Sequence, residues 1–188
     1  MTADVGRIPS SRRLRDLGPA NWVAAKIMAR AVRAPEMHLF TTVGQHHRLL
    51  LSMMPYNAVL LRGRLPLVDT ELVILRVAHL RNSEYELQHH RWMGRRRGLD
   101  DQTQALIFAW PNTAGLAGEL SDRQQTLLRA TDEFILDRSI SAEVWQQLSH
   151  HLNRRQLIEF CMLAGHYDCL AATISALQIP LDNPGDHK

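Results

Sequence analysis

Cysteine is almost missing from this 188-residue chain, with Cys161 and Cys169 the only two. They lie within one apolar helical segment, too far apart along it to bond to each other, and neither belongs to a Cys-x-x-Cys arrangement. A local redox pair is thereby excluded, and two buried free thiols are expected. Lysine is as scarce: only Lys26 and Lys188 occur, so arginine supplies nearly all of the basic charge behind a net +3. The N-terminal charges are followed by no apolar run, and no stretch reads as long enough to cross a bilayer, which predicts a cytoplasmic protein without membrane contact. Strict polar–apolar alternation, low-complexity tracts and a fixed-period repeat are absent too, which excludes strand-built and solenoid architectures.

What is present is helical. Hydrophobic residues make up 45% of the chain, enough for the core of one compact domain. The expected organisation is a flexible N-terminal segment over 1–18, a single all-α domain over 19–182 and a tail over 183–188. Pro19 opens a helix bearing Val23, Ile27, Met28 and Val32 on one side, and Pro35 precedes a second helix through Leu50 and Met54 that Pro55 bends or ends. Asp69 is the expected N-cap of an interior helix from Glu71 to about Arg81. Ser83 with Glu86 reads as a capping box opening a helix that Gly98 stops. Ser121 with Gln124 and Asn153 with Gln156 repeat the box, and a shorter helix begins near Ser141 between them. The last helix, Gln156 to about Leu177, is apolar on most sides and is either the central core helix or a subunit interface.

The chemistry concentrates in the stretch from Glu71 to His90. Three- and four-residue steps along a helix return to one face, so Ser83, Glu86 and His90 line up. Glu71 sits one short helix away in a segment apolar enough to desolvate its carboxyl and raise its pKa toward acid or base duty. Carboxyl and imidazole facing each other form a proton-transfer site.

A Glu, a Cys twelve residues on, a second Cys three further and a His four beyond that is the active-site spacing of alkylhydroperoxidase D. Here those positions read Glu71, Ser83, Glu86 and His90. The chain therefore resembles the carboxymuconolactone decarboxylase and alkylhydroperoxidase D-like family, most clearly over Leu61 to Ala109, with both cysteines replaced. The Glu86-Leu87-x-x-His90 run is similar to that of the decarboxylase branch. The resemblance implies an alkylhydroperoxidase D-like helical bundle, an obligate homo-oligomer (dimer, trimer or hexamer), and a small-molecule substrate. It also implies loss of carbon dioxide from a carboxylated unsaturated lactone without metal or organic cofactor. Such a reaction needs cations for substrate carboxylates, a donor for the developing oxyanion and an acid to reprotonate carbon. Arg76 and Arg81 are the candidates for the first role and Glu86 and His90 for the last. Ser83, His166 and Tyr167 are candidate substrate contacts.

Other readings stay open. A Ser and a Glu supply neither the thiolate nor the resolving thiol of a peroxidase, but Cys161 or Cys169 offers an alternative oxidoreductase. A non-catalytic binding or assembly protein is the third reading. The adjacent histidine pairs His46–His47, His89–His90 and His150–His151, with Glu86-x-x-His89, raise metal binding; each pair can offer one ligand to a common site, and no second Glu-x-x-His occurs. No metal is expected. The arginine runs at 12–15 and 95–97 read as solvated faces rather than a nucleic-acid surface.

Overall fold

A computed structural model of the chain describes residues 6–31 and 34–182. The start of the N-terminal segment (1–5), Val32 and the tail over 183–188 lie outside the described residues. The described residues are helical without a strand: α1 (Leu14–Ala31), α2 (His38–Val43), α3 (His47–Leu61), α4 (Leu67–Leu80), α5 (Glu84–Arg96), α6 (Asp101–Ala109), α7 (Asp122–Leu136), α8 (Ala142–His151) and α9 (Arg154–Leu177). They form two compact units, one of Leu60–Ala172 and one of the residues up to Val59 with those from Thr173 onward.

In the Leu60–Ala172 unit the central element is α4, whose residues from Asp69 to Ala78 are all buried. Leu72, Ile74, Leu75 and Val77 point into a core shared with Leu87 of α5, Ile107 of α6, Leu127 and Leu128 of α7, Leu148 of α8 and Phe160 and Leu163 of α9. A helix apolar on every side is stable only where neighbours cover every side, and α4 has them. α9 therefore contributes one face to this core rather than forming its centre, and leaves Ile158 and Met162 exposed. Contrary to expectation, α9 is long and apolar enough to cross a membrane by length and composition. After Glu159 its only charged residue is Asp168, and its Phe160, Leu163, Ala164 and Tyr167 pack into the core of a globular helical unit.

The other unit has its own core of Ala25, Ala29, Met37, Phe40 and Leu50. Residues near its N-terminal end are tied down: the Arg7 N–H donates to Leu177 O at 2.9 Å and the Ser11 N–H to Thr41 O at 3.2 Å. Pro19 opens the regular part of α1 as expected, directly after the non-helical Gly18 (φ 71°). The expected single helix after Pro35 is two, broken between Val43 and His47. The break falls at Gly44, where a Cβ would stand 2.5 Å from Phe40 O and 3.0 Å from Leu17 Cδ2. α3 continues through Pro55 to Leu61, so that proline does not end it; Pro55 lies on the exposed side of the helix.

Local end signals are mostly as read. Ser121 and Gln124 form a full capping box, Ser141 accepts from the Val144 N–H, and Asn153 and Gln156 exchange the same reciprocal bonds. Gly98 (φ 99°) stops α5, with the Leu99 N–H donating to Gly94 O at 2.9 Å and the Gly98 N–H to Arg95 O at 3.2 Å. Two expectations fail. α4 starts at Leu67 with Pro66 as N-cap, and Asp69 lies inside the first turn, ion-paired with Arg123 at 2.6 Å instead of capping. Ser83 is the N-cap residue of α5, yet its side chain makes no capping bond, because Glu86 is turned into the interior.

Candidate active site

α4 ends and α5 begins within three residues, Arg81, Asn82 and Ser83, with Asn82 in the left-handed region (φ 51°) that a short polar side chain tolerates. The Ser83 N–H closes α4 by donating to Ala78 O at 2.9 Å. This turn folds α5 back along α4 and brings Glu71 and His90, nineteen residues apart, into contact: His90 Nδ1 lies 2.8 Å from Glu71 Oε2. The second oxygen, Oε1, accepts from Arg97 Nη1 at 2.6 Å. Glu71 is fully buried and His90 nearly so. A carboxylate facing Nδ1 assigns the ring proton to that nitrogen, which leaves Nε2 as the acceptor. Glu71, expected as a free acid or base, is held at both oxygens and is the orienting partner of His90.

Glu86, one turn before His90 on α5, is 3% exposed, and neither of its oxygens has a hydrogen-bond partner among the described residues. Burial pushes its carboxyl up to about 8, against a smaller downward pull from the nearby Ser83 hydroxyl; the charge of Asp168 adds to the rise. The Ser83 hydroxyl lies near that carboxyl but outside hydrogen-bonding geometry. At neutral pH Glu86 is therefore a protonated acid one turn from His90 on the same helix face, an arrangement that general acid–base chemistry uses.

Tyr167, from α9, sets its ring edge-on to His90 with centroids 5.2 Å apart. Burial first, then the charges of Glu71 and Glu86, hold its phenol well above its ordinary pKa, so it stays a neutral donor close to both carboxyls. His166 packs edge-on against Tyr167, and burial lowers its pKa. The structure thus brings Glu71, Ser83, Glu86, His90, His166 and Tyr167 together.

It does not bring Arg76 there. That guanidinium is clamped by Asp132 through Nε and Nη2, at 2.6 and 2.8 Å, and donates Nη1 to Ile107 O. Its charge is consumed inside the core. Arg81 stands nearer, half-buried, with Nε on Asp168 Oδ1 at 2.5 Å. Sequence reasoning missed Arg97. The signal was available, since Arg97 lies seven residues after His90, two turns along the same face. Of the two thiols expected to be buried, Cys161 is half-buried and Cys169 exposed, because the face of α9 bearing Cys169 points away from the core. Among the described residues no group of three or more His, Cys, Asp and Glu side chains could hold a metal ion.

The model of the carboxymuconolactone decarboxylase family matches residues 49–131, a span holding α4, α5 and four of the six residues brought together at the site. Over that span the chain is similar to the carboxymuconolactone decarboxylase family. By spacing from Glu71 and His90, the paired cysteines of alkylhydroperoxidase D correspond to Ser83 and Glu86 in this chain. No curated protein matches the chain. Among solved structures, it is similar to the alkylhydroperoxidase AhpD core of an uncharacterized peroxidase-related protein from Ralstonia eutropha, with a TM-score of 0.79 at 11% identity over 95% of this chain and 93% of that one. An uncharacterized peroxidase-related protein from Silicibacter gives 0.72 at 17% identity over 87% and 85%. A protein of unknown function from Agrobacterium tumefaciens, linked by name to AhpD antioxidant defence, gives 0.63 at 14% identity over 70% and 88%. The fold is the AhpD-like helical fold.

Proposed function

We propose that this protein is a cofactor-free acid–base lyase or isomerase acting on a small carboxylated lactone or keto acid. The observation that carries this reading is the buried Glu71–His90 hydrogen bond, with Arg97 fixing the other carboxylate oxygen. In the isomerase form, His90 Nε2 takes a proton from carbon next to a carbonyl. The electron pair moves onto the carbonyl oxygen, where the Tyr167 hydroxyl donates a hydrogen bond, and Glu86 returns a proton to carbon. In the lyase form the carbon–carbon bond to a carboxylate breaks, its electrons enter the conjugated carbonyl, carbon dioxide leaves, and Glu86 protonates the resulting carbanion. Either sequence balances without an oxidant.

The peroxidase alternative has less support. Ser83 and Glu86 occupy the thiol positions, and burial pushes the Cys161 thiol up, away from the reactive thiolate. We place the protein in the cytoplasm as a homo-oligomer, for which the exposed Ile158 and Met162 on α9 are the supporting feature.

The test is turnover of carboxymuconolactone-type substrates and enolisable keto acids by the purified protein, without thiol reductant, alongside His90→Ala and Glu71→Gln. Turnover lost in both variants supports the reading. Ligand binding without turnover across the panel would move the assignment to a binding protein of the same fold.

A further inference from the structure

Beside the acid–base cluster, the Leu60–Ala172 unit carries a cleft of about 590 Å³ where the end of α4, the end of α7 and the middle of α9 meet. Its polar wall is Arg81, Arg138 and Asp168; its apolar wall includes Phe134, Cys169 and Ala172. Asp168 is shared, with Oδ1 accepting from Arg81 Nε at 2.5 Å and Oδ2 from Arg138 Nη1 at 2.7 Å. Arg81 spends a further N–H on Ile135 O. Two guanidiniums against one carboxylate leave one positive charge, and the remaining N–H groups, Arg81 Nη1 and Arg138 Nε and Nη2, donate to nothing among the described residues. A cationic wall facing an apolar one fits a carbon skeleton that ends in a carboxylate.

The backbone gives an independent reason. Arg138 is the first residue past the cap of α7 and has a φ of 59°. Glycine or asparagine is the usual occupant of a left-handed position after a helix, and a long side chain there is strained. Its side chain is 72% exposed, so its ion pair with Asp168 adds little stability in return. An arginine held in an unfavourable conformation at the rim of a cleft is explained by what its guanidinium binds.

We propose that this cleft binds a small carboxylate ligand, with Arg138 as the residue that recognises the anion and Arg81 its second donor. Gly165 and Asp168 of the cleft flank His166 and Tyr167 on α9, and Tyr167 packs against His90, so a ligand held there is offered to the acid–base site as a substrate. That last step rests on the lyase or isomerase reading; the binding site does not.

The experiment is calorimetric titration of the full chain with glutarate, its dimethyl ester and inorganic phosphate, repeated on Arg138→Gly and His90→Ala. Arg138→Gly suits the test because it relieves the backbone strain, so the variant stays folded, which its melting curve verifies. Glutarate is expected to bind wild type and His90→Ala alike with a Kd of about 1 mM or tighter, and to lose about tenfold or more in Arg138→Gly. The ester and phosphate are expected to bind at least about tenfold more weakly than glutarate, since one lacks the charge and the other the carbon skeleton. Equal binding by wild type and Arg138→Gly, equal binding of ester or phosphate, or no glutarate binding at all would overturn the proposal. Arg138-dependent binding without turnover of any substrate would leave this site standing and remove the catalytic reading. Turnover that depends on His90 but is indifferent to Arg138→Gly would do the reverse.

Discussion

His90 Nδ1 lies 2.8 Å from Glu71 Oε2, and both side chains are buried. A histidine so oriented presents Nε2 as its base, and the orienting carboxylate acts only through it. His90→Ala is accordingly expected to lower kcat by about 10²–10⁴-fold, the range of a lost general base, with a smaller loss in Glu71→Gln. Steady-state kinetics decides this, and a His90→Ala enzyme with wild-type kcat would remove the histidine from the chemistry.

Arg97 holds the other oxygen of Glu71 at 2.6 Å and contacts no reacting atom in this scheme, so it is a positioning residue. Arg97→Gln is expected to reduce kcat about tenfold while leaving KM near wild type, with partial recovery in Arg97→Lys. An effect confined to KM would instead make Arg97 a substrate contact.

Glu86 provides a pH signature. Its carboxyl is raised from 4.5 to about 8 in the folded protein. Below the lower value both folded and unfolded chains are protonated, and no penalty arises. Between the two values only the unfolded chain loses its proton, so stability falls as pH rises. Near neutral pH the loss is on the order of 3 kcal/mol. Glu86→Gln removes the penalty: it should raise the melting temperature more at pH 8 than at pH 4.5, while lowering turnover. In the wild type, activity that requires protonated Glu86 should fall as pH climbs through about 8. A stability gain equal at both pH values would show that Glu86 ionises normally.

Arg76 is predicted to be structural. Its guanidinium and Asp132 form a two-point pair, with the Arg76 side chain only 5% exposed. Arg76→Ala would leave Asp132 uncompensated and should cost about 3–5 kcal/mol in urea unfolding, with ligand affinity of the folded fraction unchanged. Weakened ligand binding at full stability would restore Arg76 to the substrate.

The thiols should be dispensable. Cys161 is held in its protonated form by burial, whereas Cys169 is exposed. Ellman's reagent is expected to modify Cys169 first, and the Cys161→Ser, Cys169→Ser double variant to keep wild-type turnover. Peroxide reduction that disappears in the double variant would favour the oxidoreductase alternative.

The sequence alone determined those features whose partners are near in the chain. Gln124 meets Ser121 and Gln156 meets Asn153 because three residues along a helix start is contact distance, and Gly98 ends α5 because the left-handed turn needs no distant partner. The common face of Glu86 and His90 follows from helix geometry, and the buried course of α4 from its apolar composition. Only the tertiary structure decided which charge serves chemistry and which serves packing. Arg76 looked like a substrate anchor until Asp132, 56 residues away, took it, and Arg81 meets Asp168 across 87 residues. Glu86 passed for a helix cap until its burial turned it into a protonated acid. An ionisable side chain takes its role from the charges and the solvent around it, and both are set when distant helices pack, which no local pattern encodes.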